Sequence, residues 1–316
     1  MFNIYTLDKG RLVKIQPDEI AARKPIWVDA IAPDEQERKW VADTFSITLP
    51  QPEHLRDIEA SARFYDENDE LHLRSDFLLG KESGSRSVIV AFVLANNILF
   101  SVHDEDLPVF QRFRLRSHVQ PDLVADCHDV LIDLYGSDVE FSADALEETY
   151  ADLGGTSGTV LNNTLSDKEA AMVLATIAHA EHLNGRIRRN LMDTRRAISF
   201  LMRSKLLSPE QMEEARQIMQ DIDSLDGHTA FLFDKINFLM STTVGFININ
   251  QNKIVRLFSV AAVALLPPTL VASVYGMNFK HMPELQWENG YLYALVLMMF
   301  SVAMPLWIFW RKGWLK

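Results

Sequence analysis

Two long uncharged runs near the end of the chain constrain its fold more than any other feature. Charged residues are absent from Leu257–Phe279, 23 residues, and from Gly290–Trp310, 21 residues. A helix needs about 20 apolar residues to cross a hydrocarbon layer of roughly 30 Å. The sequence therefore predicts two transmembrane helices, at about residues 257–277 and 290–310. Because everything upstream is mixed and polar, it also predicts a large soluble part.

The charges beside these runs predict their orientation. The loop Lys280–Asn289 between them has one lysine against two acids, Glu284 and Glu288. Cytoplasmic flanks of membrane helices are enriched in Lys and Arg, so we expect both termini in the cytoplasm and the loop outside. The basic residues on the outer flanks of the two runs are Lys253, Arg256, Arg311, Lys312 and Lys316.

The rest of the chain is acidic. The net charge is -12, and Ser117–Asp167 holds eleven Asp or Glu residues and no Lys or Arg. Nucleic acid is excluded as a partner, because such a surface repels phosphates. The acids form either a solvated helix face or a face that concentrates divalent cations. Cys127, the single cysteine, is expected to be a buried, inert thiol.

Residues 1–120 are predicted to form a cytoplasmic α/β domain. Apolar alternation and turn residues indicate strands, with Asn96-Asn97 as a tight hairpin turn. Helices are expected from Pro33-Asp34-Glu35 to about Phe45 and over Pro52–Ser61. The predicted strands are Phe2–Leu7, Arg11–Ile15, Ile26–Asp29, Leu71–Leu79, Ser87–Leu94 and Asn97–His103.

Residues 121–252 are predicted to form a helical region and stalk, and residues 253–316 a transmembrane domain. The glycine-rich stretch Gly154–Gly158 predicts a loop, Ser208-Pro209 a helix start and Asp226-Gly227 a helix end. A stalk helix from about His228 to Tyr275 would measure roughly 70 Å, with a local bend at Pro267-Pro268. The fold class is thus an α+β membrane protein. The remaining predicted helices are Leu123–Leu153, Ser166–Met202 and Ser208–Leu225.

Steps of three and four residues trace a stripe of small or weakly polar side chains along the first span. Two spans cannot enclose an aqueous path, so a pore requires a homo-oligomer. The stripe either lines such a pore or lets helices pack closely. We call this set the stripe: Asn252, Val255, Ser259, Ala262, Leu266, Thr269 and Ser273.

The lack of charge within the spans restricts the ion that such a pore can carry. Proton relays and voltage sensors require charged side chains in the membrane. Neutral oxygens suit hydrated Mg²⁺, which releases its water reluctantly, whereas Zn²⁺ and Cu⁺ favour imidazole or thiolate ligands. Glu284 and Glu288 would attract cations to the pore mouth.

The segment after the first span resembles the signature of the CorA magnesium transporter family. It reads Tyr-Gly-Met-Asn-Phe over Tyr275–Phe279, then Met-Pro-Glu-Leu over Met282–Leu285 and Gly290-Tyr291, and the tail Arg311–Leu315 is also similar. The resemblance implies a homopentameric channel in a bacterial inner (plasma) membrane. It would carry Mg²⁺, and also Co²⁺ and Ni²⁺, into the cell through a pore lined by the first span.

The same resemblance implies roles for individual residues. Gly276, Met277 and Asn278 would form the selectivity filter, with the Asn278 amide oxygens binding the hydration shell of Mg²⁺. The narrow stretch would fall on Leu266 and, nearer the cytoplasm, on Val255 and Asn252. Lys280 departs from the pattern, because many members have an acid there.

The resemblance further implies that Mg²⁺ bound between cytoplasmic subunits closes the pore. Asp221, Asp223 and Asp226 are the candidate ligands, with ordinary solvated acids as the alternative. Mg²⁺ is thus expected as substrate and regulator, and no organic cofactor is expected.

Two alternatives remain open. The first is the zinc-exporting sibling of the family, against which Met277 argues. The second is a membrane-anchored enzyme or signalling domain, for which His179 and His182 would be a weak metal pair.

Overall fold

The computed structural model describes residues 2–50, 63–80, 86–161, 166–278 and 282–313. Contacts divide the chain into two units. The N-terminal unit comprises residues 1–161 and 172–240, and the C-terminal unit comprises residues 162–171 and 241–316. The predicted helix Pro52–Ser61 lies outside the described residues.

A seven-stranded sheet forms the centre of the N-terminal unit, in the order β2-β1-β3-β7-β6-β5-β4. Only β3 and β7 are parallel among these strand pairs. All six predicted strands are confirmed, with ends shifted by at most two residues. The strands are β1 Phe2–Asp8, β2 Arg11–Ile15, β3 Trp27–Ile31, β4 Phe64–Glu67, β5 Glu70–Leu78, β6 Ser87–Ala95 and β7 Ile98–His103.

The predicted hairpin turn is confirmed. Asn96 and Asn97 have φ angles of 53° and 59°, and Ala95 pairs with Ile98. A two-residue turn with both φ angles positive matches the twist of the flanking strands, and asparagine tolerates this conformation well.

Alternate residues of each strand bury on opposite faces of the sheet. Val28 packs in a cluster with Val41 of helix α1, Glu35–Phe45. The neighbouring Trp27 packs instead against Phe110, with ring centroids 6.0 Å apart. Phe110 belongs to helix α2, Pro108–Val119, which the sequence analysis did not predict.

Three long helices follow: α3 Cys127–Leu161, α4 Asp167–Arg203 and α5 Pro209–Tyr275. The predicted loop at Gly154–Gly158 is wrong, because α3 runs through it. Thr156 and Thr159 donate hydroxyl hydrogen bonds to the carbonyls four residues earlier, Asp152 and Gly155. Each glycine costs a helix only about 1 kcal/mol relative to alanine, which does not end this one.

The start of α5 was predicted correctly, but the helix end predicted within it was not. Ser208 caps the helix: its Oγ accepts from Gln211 N at 3.2 Å, and its backbone N–H donates to Gln211 Oε1 at 2.9 Å. The predicted end at Asp226-Gly227 is wrong, because α5 continues to Tyr275. Ile222 and Leu232 on either side of it are buried, and this packing outweighs the propensity of one glycine.

The C-terminal unit contains the end of α5, a short 3₁₀ helix Pro283–Gln286 and helix α6, Gly290–Arg311. The helices α5 and α6 carry the two predicted spans, with 18-residue windows of mean hydropathy 2.0 and 2.1. Only 11% and 6% of these windows is buried. The core helix of a soluble protein would be mostly buried.

Candidate functional site

The stripe is exposed along its whole length. All seven of its side chains are exposed in this chain, including the two bulky ones, Val255 at 63% and Leu266 at 66%. On a membrane span, such a face contacts lipid, packs against other protein or lines an aqueous path.

The covered side of the first span lies away from the stripe. Val260 and Ala264 on α5 are 5% exposed, and Ala294 on α6 is 8% exposed. At 100° per residue, Val260 and Ala264 lie about half a turn around the helix from the stripe. The stripe therefore lies on surface that this chain leaves open, as do most other residues of the span.

Two of the three stripe hydroxyl groups direct their protons into their own helix. Ser259 Oγ donates to the carbonyl of Val255 at 2.8 Å, and Thr269 Oγ1 donates to that of Leu265 at 2.7 Å. Such bonds to the carbonyl four residues earlier are common for Ser and Thr in membrane helices. Lone pairs of both oxygens remain available to accept hydrogen bonds from water.

Pro267 and Pro268 do not interrupt α5. Neither has a backbone N–H, so the carbonyls of Val263 and Ala264 lack their usual helical donors. Both prolines are half-buried. The position at which a local bend was expected thus lies within a continuous helix.

Gly276, Met277 and Asn278 follow the last helical residue directly. Gly276 N donates to the Ala272 carbonyl at 3.0 Å, and Met277 N donates to that of Val274 at 3.2 Å, which tightens the last turn. A Cβ at position 276 would lie 3.2 Å from the Ala272 oxygen. A side chain there would strain the turn that presents the exposed Asn278.

The loop between the spans carries the two predicted mouth acids. Glu284 falls within the 3₁₀ helix Pro283–Gln286, and Glu288 is exposed. Nearby, Trp287 packs edge-on against Tyr293 of α6, with ring centroids 5.9 Å apart. Tyr and Trp are typical of the membrane–water interface.

The three candidate regulatory acids lie on the part of α5 in the N-terminal unit. Asp223 Oδ1 is 2.5 Å from Arg195 Nη2, and Asp226 Oδ1 is 3.6 Å from Arg188 Nε. Asp221 is exposed. Both arginines belong to α4, so two of the three acids already neutralise charges of the same chain.

Other candidate metal ligands are not gathered. No group of three or more His, Cys, Asp or Glu side chains in the described ranges could hold a metal ion. Arg186 Nη2 lies 2.7 Å from His182 Nε2, which occupies the lone pair that a metal would need. Cys127 is buried, as expected.

Comparison with known proteins fixes the family. The sequence model of the family described as "CorA-like Mg²⁺ transporter protein" matches residues 23–312. This chain belongs to that family. CorA-like proteins are transporters and not enzymes, so the predicted transporter class is confirmed over a membrane-anchored enzyme.

Two CorA-like relatives align over their full length. The magnesium transport protein CorA of Haemophilus influenzae (strain Rd) is 42% identical over 316 residues, 100% of both chains. That of Salmonella typhimurium (strain LT2) is 40% identical over 317 residues, again 100% of both.

A solved CorA structure confirms the fold class. The complete CorA magnesium transporter from Methanocaldococcus jannaschii superposes with a TM-score of 0.78 at 18% identity. The match covers 99% of this chain and 98% of that one. At this identity the likeness concerns the fold alone, including the N-terminal α/β unit and the two apolar helices.

Proposed function

We propose that this chain forms a homopentameric channel that carries Mg²⁺ into the cytoplasm, and also Co²⁺ and Ni²⁺. Family membership and full-length relatives named for magnesium transport support the substrate. The observation that carries the pore is the stripe, which lies on the open face of the first span. Copies arranged around an axis would turn this face towards the axis and leave α6 towards lipid.

The wall of such a pore suits a hydrated dication. Its polar groups are the Asn252 amide and the hydroxyls of Ser259, Thr269 and Ser273, all without charge. Mg²⁺ keeps several of its waters in most protein sites, and these waters can donate to oxygen lone pairs of Ser259 and Thr269. Leu266 and Val255 form the narrow apolar part.

Selection and attraction occur at the outer end. Asn278 rings the mouth and binds the hydration shell through its amide oxygens, while Gly276 and Met277 shape the turn. Glu284 and Glu288, repeated in each subunit, attract cations and outnumber the copies of Lys280.

The membrane potential drives the ion. An interior-negative potential contributes about 2.3 kcal/mol per charge per 100 mV, or about 4.6 kcal/mol for a divalent ion. The basic flanks favour a topology in which both termini and the N-terminal unit are in the cytoplasm of a bacterium and residues 280–289 are outside the inner membrane.

Cytoplasmic Mg²⁺ closes the channel by binding between subunits at Asp221, Asp223 and Asp226. Arg195 and Arg188 pair with two of these acids, so the ion competes with arginine for them. Replacing all three acids with asparagine should abolish the protection from protease that Mg²⁺ gives the solubilised protein. Protection unchanged from the native protein would exclude this site.

Flux into proteoliposomes with an imposed interior-negative potential tests the pore. Asn278→Ala should abolish Mg²⁺ entry. Asn289→Ala makes the same chemical change at an N-cap whose side chain makes no capping bond, and it should leave entry intact. Light scattering of the detergent-solubilised protein should give the mass of five copies for both variants. A single-copy mass, or native flux in Asn278→Ala, would overturn the proposal.

A further inference from the structure

A buried polar cluster connects α3 and α4 and has no part in the proposed pore. It comprises Asp138 and Ser142 of α3 with Asn190 and Thr194 of α4, and none of these residues is more than 1% exposed. Burying polar groups is unfavourable unless hydrogen bonds replace their contacts with water. The hydrogen bonds of each group can therefore be accounted for in full.

The side-chain nitrogen of Asn190 donates two hydrogen bonds. Nδ2 donates to Asp138 Oδ2 at 2.8 Å and to Ser142 Oγ at 3.2 Å. The remaining oxygen of each planar group, Asp138 Oδ1 and Asn190 Oδ1, has no hydrogen-bond partner among the described residues, and neither has the hydroxyl of Thr194. Two acceptors of the cluster thus lack a donor within hydrogen-bond distance, and the Thr194 hydroxyl does not supply one.

A proton on the carboxyl group supplies that donor. An ionised carboxylate only accepts, whereas a protonated one also donates. Exchanging the oxygen and nitrogen of the Asn190 amide would bring its oxygen against Asp138 Oδ2, so that arrangement needs a proton as well.

The groups around Asp138 favour its neutral form. Burial raises the pKa of Asp138 to about 7, hydrogen bonding to Asn190 and to the Leu78 backbone amide opposes the rise, and the charge of Asp76 adds to it. The Leu78 amide completes no hydrogen bond with Oδ1. The neighbouring ionisable groups are Asp76 on β5, Tyr135 on α3, Asp193 and Arg189 on α4, and Arg63, whose Nη1 is 2.5 Å from Asp193 Oδ2.

We propose that Asp138 is a proton-binding site that makes the contact between α3 and α4 sensitive to cytoplasmic pH. Below neutrality Oδ1 of Asp138 carries a proton and donates it to Oδ1 of Asn190, which closes an acid–amide pair. Above neutrality the proton leaves to solvent, and both buried oxygens are left without a donor.

The sign of the pH dependence follows from linkage. An aspartate in an opened chain ionises near its ordinary pKa of 3.8, and in the folded chain only near 7. Between these values the folded state binds more protons than the opened state, so its stability falls as pH rises. The opening equilibrium constant should rise about a hundredfold between about pH 5 and about pH 8.

Asp138→Asn provides the matched variant, because an amide–amide pair keeps one donor and one acceptor on each side without titrating. Hydrogen exchange of the α4 amides around Asn190 in the full-length protein in detergent should show the hundredfold rise for the native chain. The variant should show only the intrinsic pH dependence of exchange. Infrared spectra at about pH 6 should show a protonated-carboxyl band that Asp138→Asn lacks.

The double variant Asp138→Asn/Asn190→Asp exchanges acid and amide and should restore both the band and the pH dependence. If Asp138→Asn alone does not fold, the same two measurements on the double variant test the proposal. Native-like pH dependence in Asp138→Asn, or no carboxyl band that depends on position 138 or 190, would overturn the proposal.

Discussion

His103 and Asp29 form a charged hydrogen bond in the interior of the N-terminal unit. Their Nε2 and Oδ1 atoms lie 2.8 Å apart, and neither side chain is exposed. The other ring nitrogen of His103 is 2.6 Å from the Glu105 carbonyl. Both partners are acceptors, so both ring nitrogens donate and the ring is a cation. Burial lowers the pKa of His103, but the bonds to Asp29 outweigh it and raise the pKa overall.

Asp29 should therefore be important for stability. Its second oxygen accepts from Arg114 Nη1 at 3.0 Å, so Asp29→Asn removes a buried carboxylate from two cations, of which Arg114 keeps a more exposed partner in Asp106. Breaking a buried ion pair from one side costs about 3–5 kcal/mol. Arg86→Gln, which removes an exposed pair with Glu105, should cost less than about 1 kcal/mol. Urea denaturation of the solubilised protein measures both, and equal losses would contradict this account.

The stability of the first turn of α3 should depend on pH through Asp126 and His128. Asp126 Oδ1 accepts from the backbone amides of His128 and Asp129 at the start of α3. Burial acts to raise the pKa of Asp126, but these and other hydrogen bonds hold it well below its usual range. The hydrogen bond that His128 Nδ1 donates to Asp126 Oδ2 at 3.4 Å, together with the contact with Cys127 Sγ, raises the pKa of His128 to about 10.

The stabilisation from Asp126 is present above its unfolded pKa of 3.8 and is lost as pH falls below that value. That from His128 is full below 6.5 and is lost as pH rises through about 10. Asp126→Asn keeps a good helix cap but should move the NMR titration of His128 down towards 6.5. Asp126→Ala also loses the cap and should cost about 1 kcal/mol more. A His128 titration unchanged in Asp126→Asn would refute the pairing.

Cysteine accessibility separates the two faces of the first span. The native chain should react little with a thiol reagent, because its single cysteine, Cys127, is buried. A cationic thiol reagent should reduce Mg²⁺ flux to background in Ala262→Cys, which lies on the stripe. It should not affect Ala261→Cys, which makes the same change at an exposed position about 130° around the helix from the middle of the stripe. Equal inhibition of both would mean that the stripe does not line the path.

Gly227 tests the continuity of α5. A Cβ at this position would contact nothing within 4 Å, so Gly227→Ala should stabilise the chain by about 0.5–1 kcal/mol. Gly10 is the opposite case, because its φ is +72° and a Cβ would overlap the Asp122 carboxylate. Gly10→Ala should therefore lower the melting temperature and Gly227→Ala should raise it. A loss of stability in Gly227→Ala would indicate a turn at that position.

Local patterns predicted most of the elements. Alternation located six strands, two asparagines located the hairpin, and Ser208-Pro209 located the start of α5. The loop and the helix end predicted from glycines are wrong because a surface glycine is only mildly unfavourable in a helix whose other residues pack well. Helix α2 was missed, although Pro108 at its first turn is a recognisable start signal.

Contacts between distant residues could not be predicted in this way. His103 and Asp29 are 74 positions apart, and Asp138 and Asn190 are 52 apart. Periodicity indicates which face of an element is buried, but not which polar side chains meet there. For the stripe, spacing left pore lining and helix packing open, and its exposure in a single chain agrees with both.

The hydroxyl protons of Ser259 and Thr269 are bonded to carbonyls of their own helix, and this has a consequence for anions. Water around a cation turns its hydrogens outward, whereas water around chloride turns its oxygens outward. At these two positions the wall can accept hydrogen bonds from the first kind of shell and cannot donate to the second. In the proposed oligomer these two rings would thus favour cations over chloride without any formal charge in the membrane.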